Sequence, residues 1–206
     1  MFAPECLRLV AITDGLHSGT SELVDRAGAA VRGGATMIQL RLKDADARTL
    51  MEVSRRLLSV LPNTVPLVVN DRADVAIAAG AAGVHVGPDD LSPGAIRRIA
   101  PPGFIIGASV GTDHEVPAAG KADYVGVGPV FPTDSKLDAG DAIGTARFGE
   151  LATRCGRPAV AIGGIDATNA ALAIAAGAAG VAVIRAVFGA TDPEDAARAL
   201  RAAMEH

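Results

Sequence analysis

Tryptophan is absent from the 206 residues, aromatic residues make up only 3% of them, and cysteine occurs twice. Each scarcity removes a class of function. Few aromatic faces leave little on which nucleic-acid bases can stack. With a formal net charge of −4 and basic residues scattered along the chain, no cationic stripe awaits a phosphate backbone. Cys6 and Cys155 stand far apart without C-x-x-C spacing, which fits reduced thiols rather than a disulfide framework. Polar or charged residues interrupt every apolar run before it reaches membrane length. The N-terminal MFAPECLRLV has no basic stretch leading into an apolar one, so no secretory signal is expected. The sequence thus predicts a cytoplasmic protein with neither nucleic acid nor membrane as partner.

What remains is apolar and finely divided. Half of the chain is hydrophobic, enough to bury a sizeable core within one domain. Short runs of strand type recur at 7–13, 36–40, 66–70, 83–87, 104–109, 124–128, 158–163 and 180–184. They are continuously apolar rather than alternating, the pattern of strands buried on both faces. Segments rich in Ala, Leu and Arg lie between them, as at 45–60 and 192–204. Ser92 before Pro93 and Asp192 before Pro193 set a capping residue ahead of a proline at the first helical position. The stretch AAGAAGV occurs at 78–84 and again at 175–181, a weak internal repeat with glycine at the joint from helix to strand. Eight βα units of about 25 residues each predict a single-domain (β/α)8 TIM barrel spanning 1–206. The rival, a doubly wound open sheet, would carry its nucleotide fingerprint after the first strand, and ITDGLHSG is not G-x-G-x-x-G.

Chemistry in such a barrel belongs at the C-terminal ends of the strands. Unusual polar residues cluster there: Gln39, Arg41 and Lys43 after strand 2, Asn70 and Asp71 after strand 3, His85 and Asp90 with strand 4, and Ser109 on strand 5. Strand 6 runs into the string Thr133-Asp134-Ser135-Lys136, strand 7 into Gly163-Gly164, and strand 8 into Ile184-Arg185. Asp71 and Asp90 leave neighbouring strands, whose axes lie about 4.8 Å apart. Their carboxylates can share a hard cation, for which Mg²⁺ with phosphate oxygens is the natural choice. An aspartate after a strand is also an ordinary helix cap, so for Asp71 both readings stand. Arg41, Lys43 and Lys136 offer cations to a polyanion, and the alternation with Leu40 and Leu42 turns Gln39, Arg41 and Lys43 the same way. Gly163-Gly164 with the turn after strand 8 suits a phosphate held by backbone N–H groups. His85 reads as a packing or orienting residue, and His17 and His114 as surface residues. Gly140 and Gly144 would let the polar stretch 134–145 move as a lid.

The motifs QLRLK, NDR, GVHVGPDDL, IIGASV, GVGPVFPTDSK, AIGGI and AGAAGVAVI together resemble, in order and spacing, those of the thiamine phosphate synthase family over residues 7–188. The resemblance implies a transferase that joins 4-amino-2-methyl-5-pyrimidinylmethyl diphosphate to a thiazole phosphate, releasing diphosphate with Mg²⁺ as cofactor. It implies that Gln39 contacts the pyrimidine and that Arg41, Lys43, Asn70, Ser109 and Lys136 bind the diphosphate, with Lys136, Arg41 and Ser109 the catalytic group. It gives the metal to Asp71 and Asp90, and the thiazole phosphate to Thr133, Asp134, Ser135, Gly164, Ile184 and Arg185. Pro88, Ser135, Arg185 and Val10 depart from the family pattern, and Arg185 stands where a serine is common. Two alternatives remain. A thiazole tautomerase relative would carry a histidine where this chain has Pro129, and a non-catalytic phosphate-binding barrel would have no use for an acidic pair facing cations. The oligomeric state stays open, a homo-oligomer included.

Overall fold

In the computed structural model, which describes residues 2–16, 19–133 and 140–205, eight parallel strands close into a barrel in sequence order. The strands are β1 (Leu9–Ile12), β2 (Met37–Leu40), β3 (Leu67–Asn70), β4 (Gly83–Val86), β5 (Ile105–Val110), β6 (Tyr124–Val127), β7 (Ala159–Ile162) and β8 (Gly180–Val183). Each coincides with one of the apolar runs, most of them shortened, while β5 runs one residue further, to Val110. Around them stand α1 (Thr20–Arg32), α2 (Ala47–Val60), α3 (Ala73–Ala79), α4 (Pro93–Arg97), α5 (Gly144–Cys155), α6 (Ala170–Ala175), α7 (Arg185–Phe188) and α8 (Pro193–Ala203).

Two separate apolar cores follow from strands buried on both faces. The larger lies between strands and helices and takes Leu40, Leu42, Val69, Val86, Ile106, Val127 and Val183. The smaller fills the barrel axis with Leu7, Val10, Ile12, Met37, Val68, Ile105, Tyr124, Val160 and Ala182. Burial at about 25 cal/mol per Å² makes these two cores the main drive to the fold. A 3₁₀ turn at Pro4–Leu7 closes the N-terminal end, and Phe2 stacks beneath Tyr124 with ring centroids 6.1 Å apart.

The expected caps form. Ser92 accepts from the Ala95 N–H, and Asp192 accepts from the N–H groups of Glu194 and Asp195. The even βα alternation fails at one point. No α-helix joins β5 to β6; the crossover carries only a 3₁₀ turn, Ala118–Lys121. The stretch GTDHEVPAAGKA has no apolar stripe of helical period, and Pro117 and Gly120 break what remains. At the other end, β8 is followed by two helices, with α7 a single turn before α8.

Candidate active site

Inward-facing side chains change character along the barrel axis, from apolar near the N-terminal turn to polar toward the strand C-termini. Register explains which residues meet. Asn70 pairs with His85, His85 with Gly107, Gly107 with Tyr124, and Ser109 with Gly126. Side chains at these positions point to the interior because they share parity with Val68, Ile105 and Val160. The result is a polar wall running from β2 to β6.

Two hydrogen-bonded groups build that wall. Gln39 is buried, and its Nε2 donates to Asn70 Oδ1 at 2.8 Å. That bond leaves Gln39 Oε1 and Asn70 Nδ2 to whatever enters the barrel mouth. On the next strands, His85 Nε2 lies 3.1 Å from Ser109 Oγ, and His85 Nδ1 lies 3.0 Å from the Tyr124 hydroxyl. Tyr124 is fully buried, and that burial pushes its ionisation far above the ordinary tyrosine range, so it stays a neutral phenol. Glycines make room for this trio. A Cβ on Gly107 would stand 2.3 Å from Tyr124 Cζ and 2.4 Å from His85 Nδ1, and one on Gly126 would press on His85 Cε1 at 3.2 Å. The sequence marks His85 as a packing or orienting residue and does not name its partners. The readable signal was two glycines, at 107 and 126, on the same face of adjacent strands as a histidine and a tyrosine.

Beyond the strand ends the rim is charged. Arg41 continues β2; its N–H donates to Thr13 Oγ1, and the Thr13 hydroxyl donates back to the Arg41 carbonyl, both at 2.8 Å. Leu42 is buried while Arg41 is half-buried and Lys43 exposed, so the expected alternation persists past the strand. Asp71 has φ 62, the one non-glycine in the left-handed region among the described residues, and its N–H donates to the His85 carbonyl at 2.8 Å. It does not cap α3: the N-cap position is Arg72, without a side-chain capping bond. Arg72 itself is committed to Asp74 through two hydrogen bonds of 2.9 and 2.6 Å. Asp90 is likewise no helix cap, because Ser92 fills that position. One of its oxygens, Oδ2, accepts from the Gly87 N–H at 2.7 Å, and Oδ1 has no hydrogen-bond partner among the described residues.

The opposite side of the rim is backbone. After β6 the chain passes through a cis Gly128–Pro129 bond and then pairs onward along β7, with Val130 N–H donating to Ile162 O and Phe131 N–H to Gly163 O. Ile143 and Gly144 return to donate to Pro129 O and Val130 O, closing the root of the loop. Gly163 and Gly164 adopt φ 94 and 63. Their Cβ atoms would meet Pro129 Cβ and the Pro132 carbonyl, each at 2.5 Å, so only glycine allows this turn to lie against the 129–132 segment. Ile184 precedes the single turn of α7, where Arg185 is exposed, and Arg26 donates from α1 to the carbonyls of Phe188 and Ala190 at its far end. Thr133 is half-buried at the end of the described segment. Asp134, Ser135, Lys136 and His17 lie outside the described residues, as does the first half of the expected lid, 134–139. His114 is exposed, as expected.

The family model described as thiamine monophosphate synthase matches residues 9–187. A thiamine-phosphate synthase of Roseiflexus sp. (strain RS-1) is 50% identical over 194 residues, covering 93% of this chain and 82% of that protein. One from Azorhizobium caulinodans is 44% identical over 205 residues, covering 98% and 97%. Among solved structures, thiamine phosphate pyrophosphorylase from Pyrococcus furiosus superposes with a TM-score of 0.86 at 39% identity, covering 98% of this chain and 97% of its own.

Proposed function

Because the chain belongs to the thiamine monophosphate synthase family, we propose that it joins a 4-amino-2-methyl-5-pyrimidinylmethyl diphosphate to a thiazole phosphate, giving thiamine phosphate and diphosphate. The observation that carries this reading is the pairing of family membership with a polar barrel wall that leads to a rim bearing Asp71, Asp90, Arg41 and Lys43.

The pyrimidine enters the barrel mouth. Gln39 Oε1 accepts from the exocyclic amine while its Nε2 is held by Asn70, and Ile12 and Ile184 supply apolar contact. Asn70 Nδ2, Ser109, Arg41, Lys43 and Lys136 bind the diphosphate. An aminopyrimidine is electron-rich enough to stabilise a methylene cation, so the carbon–oxygen bond to diphosphate breaks before the thiazole nitrogen attacks that carbon. Such a reaction asks little of a general base. It asks for neutralisation of the leaving group, and fixed donors in a site closed to water give most for that purpose. The turn at Gly164 with Ile184 and Arg185, together with Thr133, Asp134 and Ser135, binds the thiazole phosphate and sets its nitrogen in line, which adds the advantage of proximity.

Asp71 and Asp90 suit Mg²⁺. They provide hard oxygen ligands, Asp90 Oδ1 carries no competing hydrogen bond among the described residues, and Asp71 is tied to the end of β4 through the His85 carbonyl. No group of three or more His, Cys, Asp or Glu side chains converges among the described residues, so water and substrate oxygens would complete the shell. When bound, the ion neutralises charge on the departing diphosphate.

Neither alternative has a comparable support. Pro129 supplies no proton shuttle for a tautomerase. A passive phosphate binder needs neither the acidic pair nor the buried amide pair. The test is turnover. Purified protein with both substrates and Mg²⁺ should form thiamine phosphate and diphosphate in equal amounts, and omission of either substrate or addition of a chelator should stop it. Formation of neither product with everything present would overturn the proposal.

A further inference from the structure

Serine, histidine and tyrosine in a hydrogen-bonded row invite a nucleophilic reading, in which His85 would take the proton of Ser109. The direction of the hydrogen bonds decides against it. The Tyr124 hydroxyl is buried, and His85 Nδ1 is its one polar partner among the described residues. A phenol that accepted from Nδ1–H would leave its own proton without an acceptor, a loss of about 1–3 kcal/mol in a dry interior. The phenol therefore donates, and Nδ1 accepts. A neutral imidazole that accepts at Nδ1 carries its proton at Nε2. That Nε2–H, 3.1 Å from Ser109 Oγ, must donate to the serine. Ser109 Oγ is then occupied as an acceptor, and its own O–H is turned outward to the barrel mouth. Gly107 and Gly126 preserve the geometry, since a side chain at the first would strike both rings.

We infer that Tyr124 and His85 are positioning residues that fix the polarity of Ser109, holding it as a hydrogen-bond donor to a diphosphate oxygen and denying it a general base. This rests on the diphosphate role proposed for Ser109. In the reaction no bond to Ser109 forms: its hydroxyl proton stays on Oγ while the carbon–oxygen bond of the substrate breaks and both electrons leave with diphosphate.

Two measurements test it. The first needs no substrate and stands apart from any turnover. Long-range ¹H–¹⁵N spectra of histidine-labelled protein, with His85 assigned by its disappearance in His85→Asn, should show the Nε2–H tautomer. In Tyr124→Phe that preference should vanish. The second is a double-mutant cycle on kcat. Tyr124→Phe should lower kcat about tenfold in the wild type, the worth of one misdirected hydrogen bond. In a Ser109→Ala background it should lower it less than about twofold, and Ser109→Thr should restore most of the activity that alanine loses. An Nδ1–H tautomer, or an undiminished effect of Tyr124→Phe without Ser109, would overturn the inference. A chain that never turns over yet shows the Nε2–H tautomer would instead overturn the function proposed for the site.

Discussion

An alanine at position 107 tests the barrel interior most severely, because the smallest possible side chain is placed where two rings already meet. Its Cβ would stand 2.3 Å from Tyr124 Cζ, 2.4 Å from His85 Nδ1 and 2.5 Å from the Tyr124 hydroxyl. Neither ring can swing into solvent, since Tyr124 is 1% and His85 8% exposed. Overpacking of this kind costs about 1–3 kcal/mol. If the rings part, the stranded phenol adds about 1–3 kcal/mol. Gly107→Ala should thus destabilise the fold by about 2–5 kcal/mol, the sum of those two terms with some relaxation. With no tryptophan and one tyrosine in the chain, urea unfolding is best followed by circular dichroism, and Tyr124 fluorescence reports on the altered site itself. Gly120→Ala is the control: nothing lies within 4 Å of its Cβ and its φ is not positive, so stability should hold or rise by up to about 1 kcal/mol. A Gly107→Ala protein that unfolds at the wild-type urea midpoint would refute the close packing of Gly107 against the His85 and Tyr124 rings.

Asp71→Asn should reduce turnover by at least an order of magnitude while changing stability by less than about 0.5 kcal/mol, because asparagine tolerates the left-handed φ of this position. Urea unfolding and kcat on the same preparations decide it; lost stability with intact turnover would make the residue structural. Gly164→Ala combines φ 63 with a Cβ 2.5 Å from the Pro132 carbonyl, so KM for the thiazole phosphate should rise severalfold with a smaller change for the pyrimidine substrate. Equal change in both would detach this turn from the thiazole phosphate. Burial pushes the Cys6 thiol up to about 11, with Glu5 adding to the rise against its own backbone hydrogen bond. Its alkylation by iodoacetamide should therefore keep accelerating as pH rises through 10, and a rate already level at pH 9 would contradict this.

The barrel was legible because its signals are local. Strands buried on both faces leave continuous apolar runs such as PLVVN and GVAVI, and Ser92-Pro93 and Asp192-Pro193 mark helix starts that the caps reproduce. The missing helix between β5 and β6 was the exception. Counting βα units imposed a regularity that GTDHEVPAAGKA, without an apolar stripe, does not possess. Arg41 and Asp71 could be placed at the rim by position alone, since each directly follows a strand. The Ser109–His85–Tyr124 row could not, because it depends on how three strands are staggered, and stagger is set by long-range pairing rather than by neighbours in sequence. Asp71 shows the same limit from the other side. Its sequence context fits a cap, and only the chain's path, with Arg72 at the N-cap and Asp71 hydrogen-bonded to β4, separates the readings.

The proposed reaction requires one arrangement, a diphosphate held between the acidic pair and the donors of the barrel wall. A crystal structure of the protein with the pyrimidine diphosphate and Mg²⁺, thiazole phosphate withheld, measures it directly. That structure should show a metal ion held by Asp71 and Asp90 beside the diphosphate, with Ser109 Oγ within hydrogen-bond distance of the same diphosphate and Gln39 facing the pyrimidine amine. A diphosphate bound at the Gly163–Gly164 turn, with no metal between Asp71 and Asp90, would contradict it.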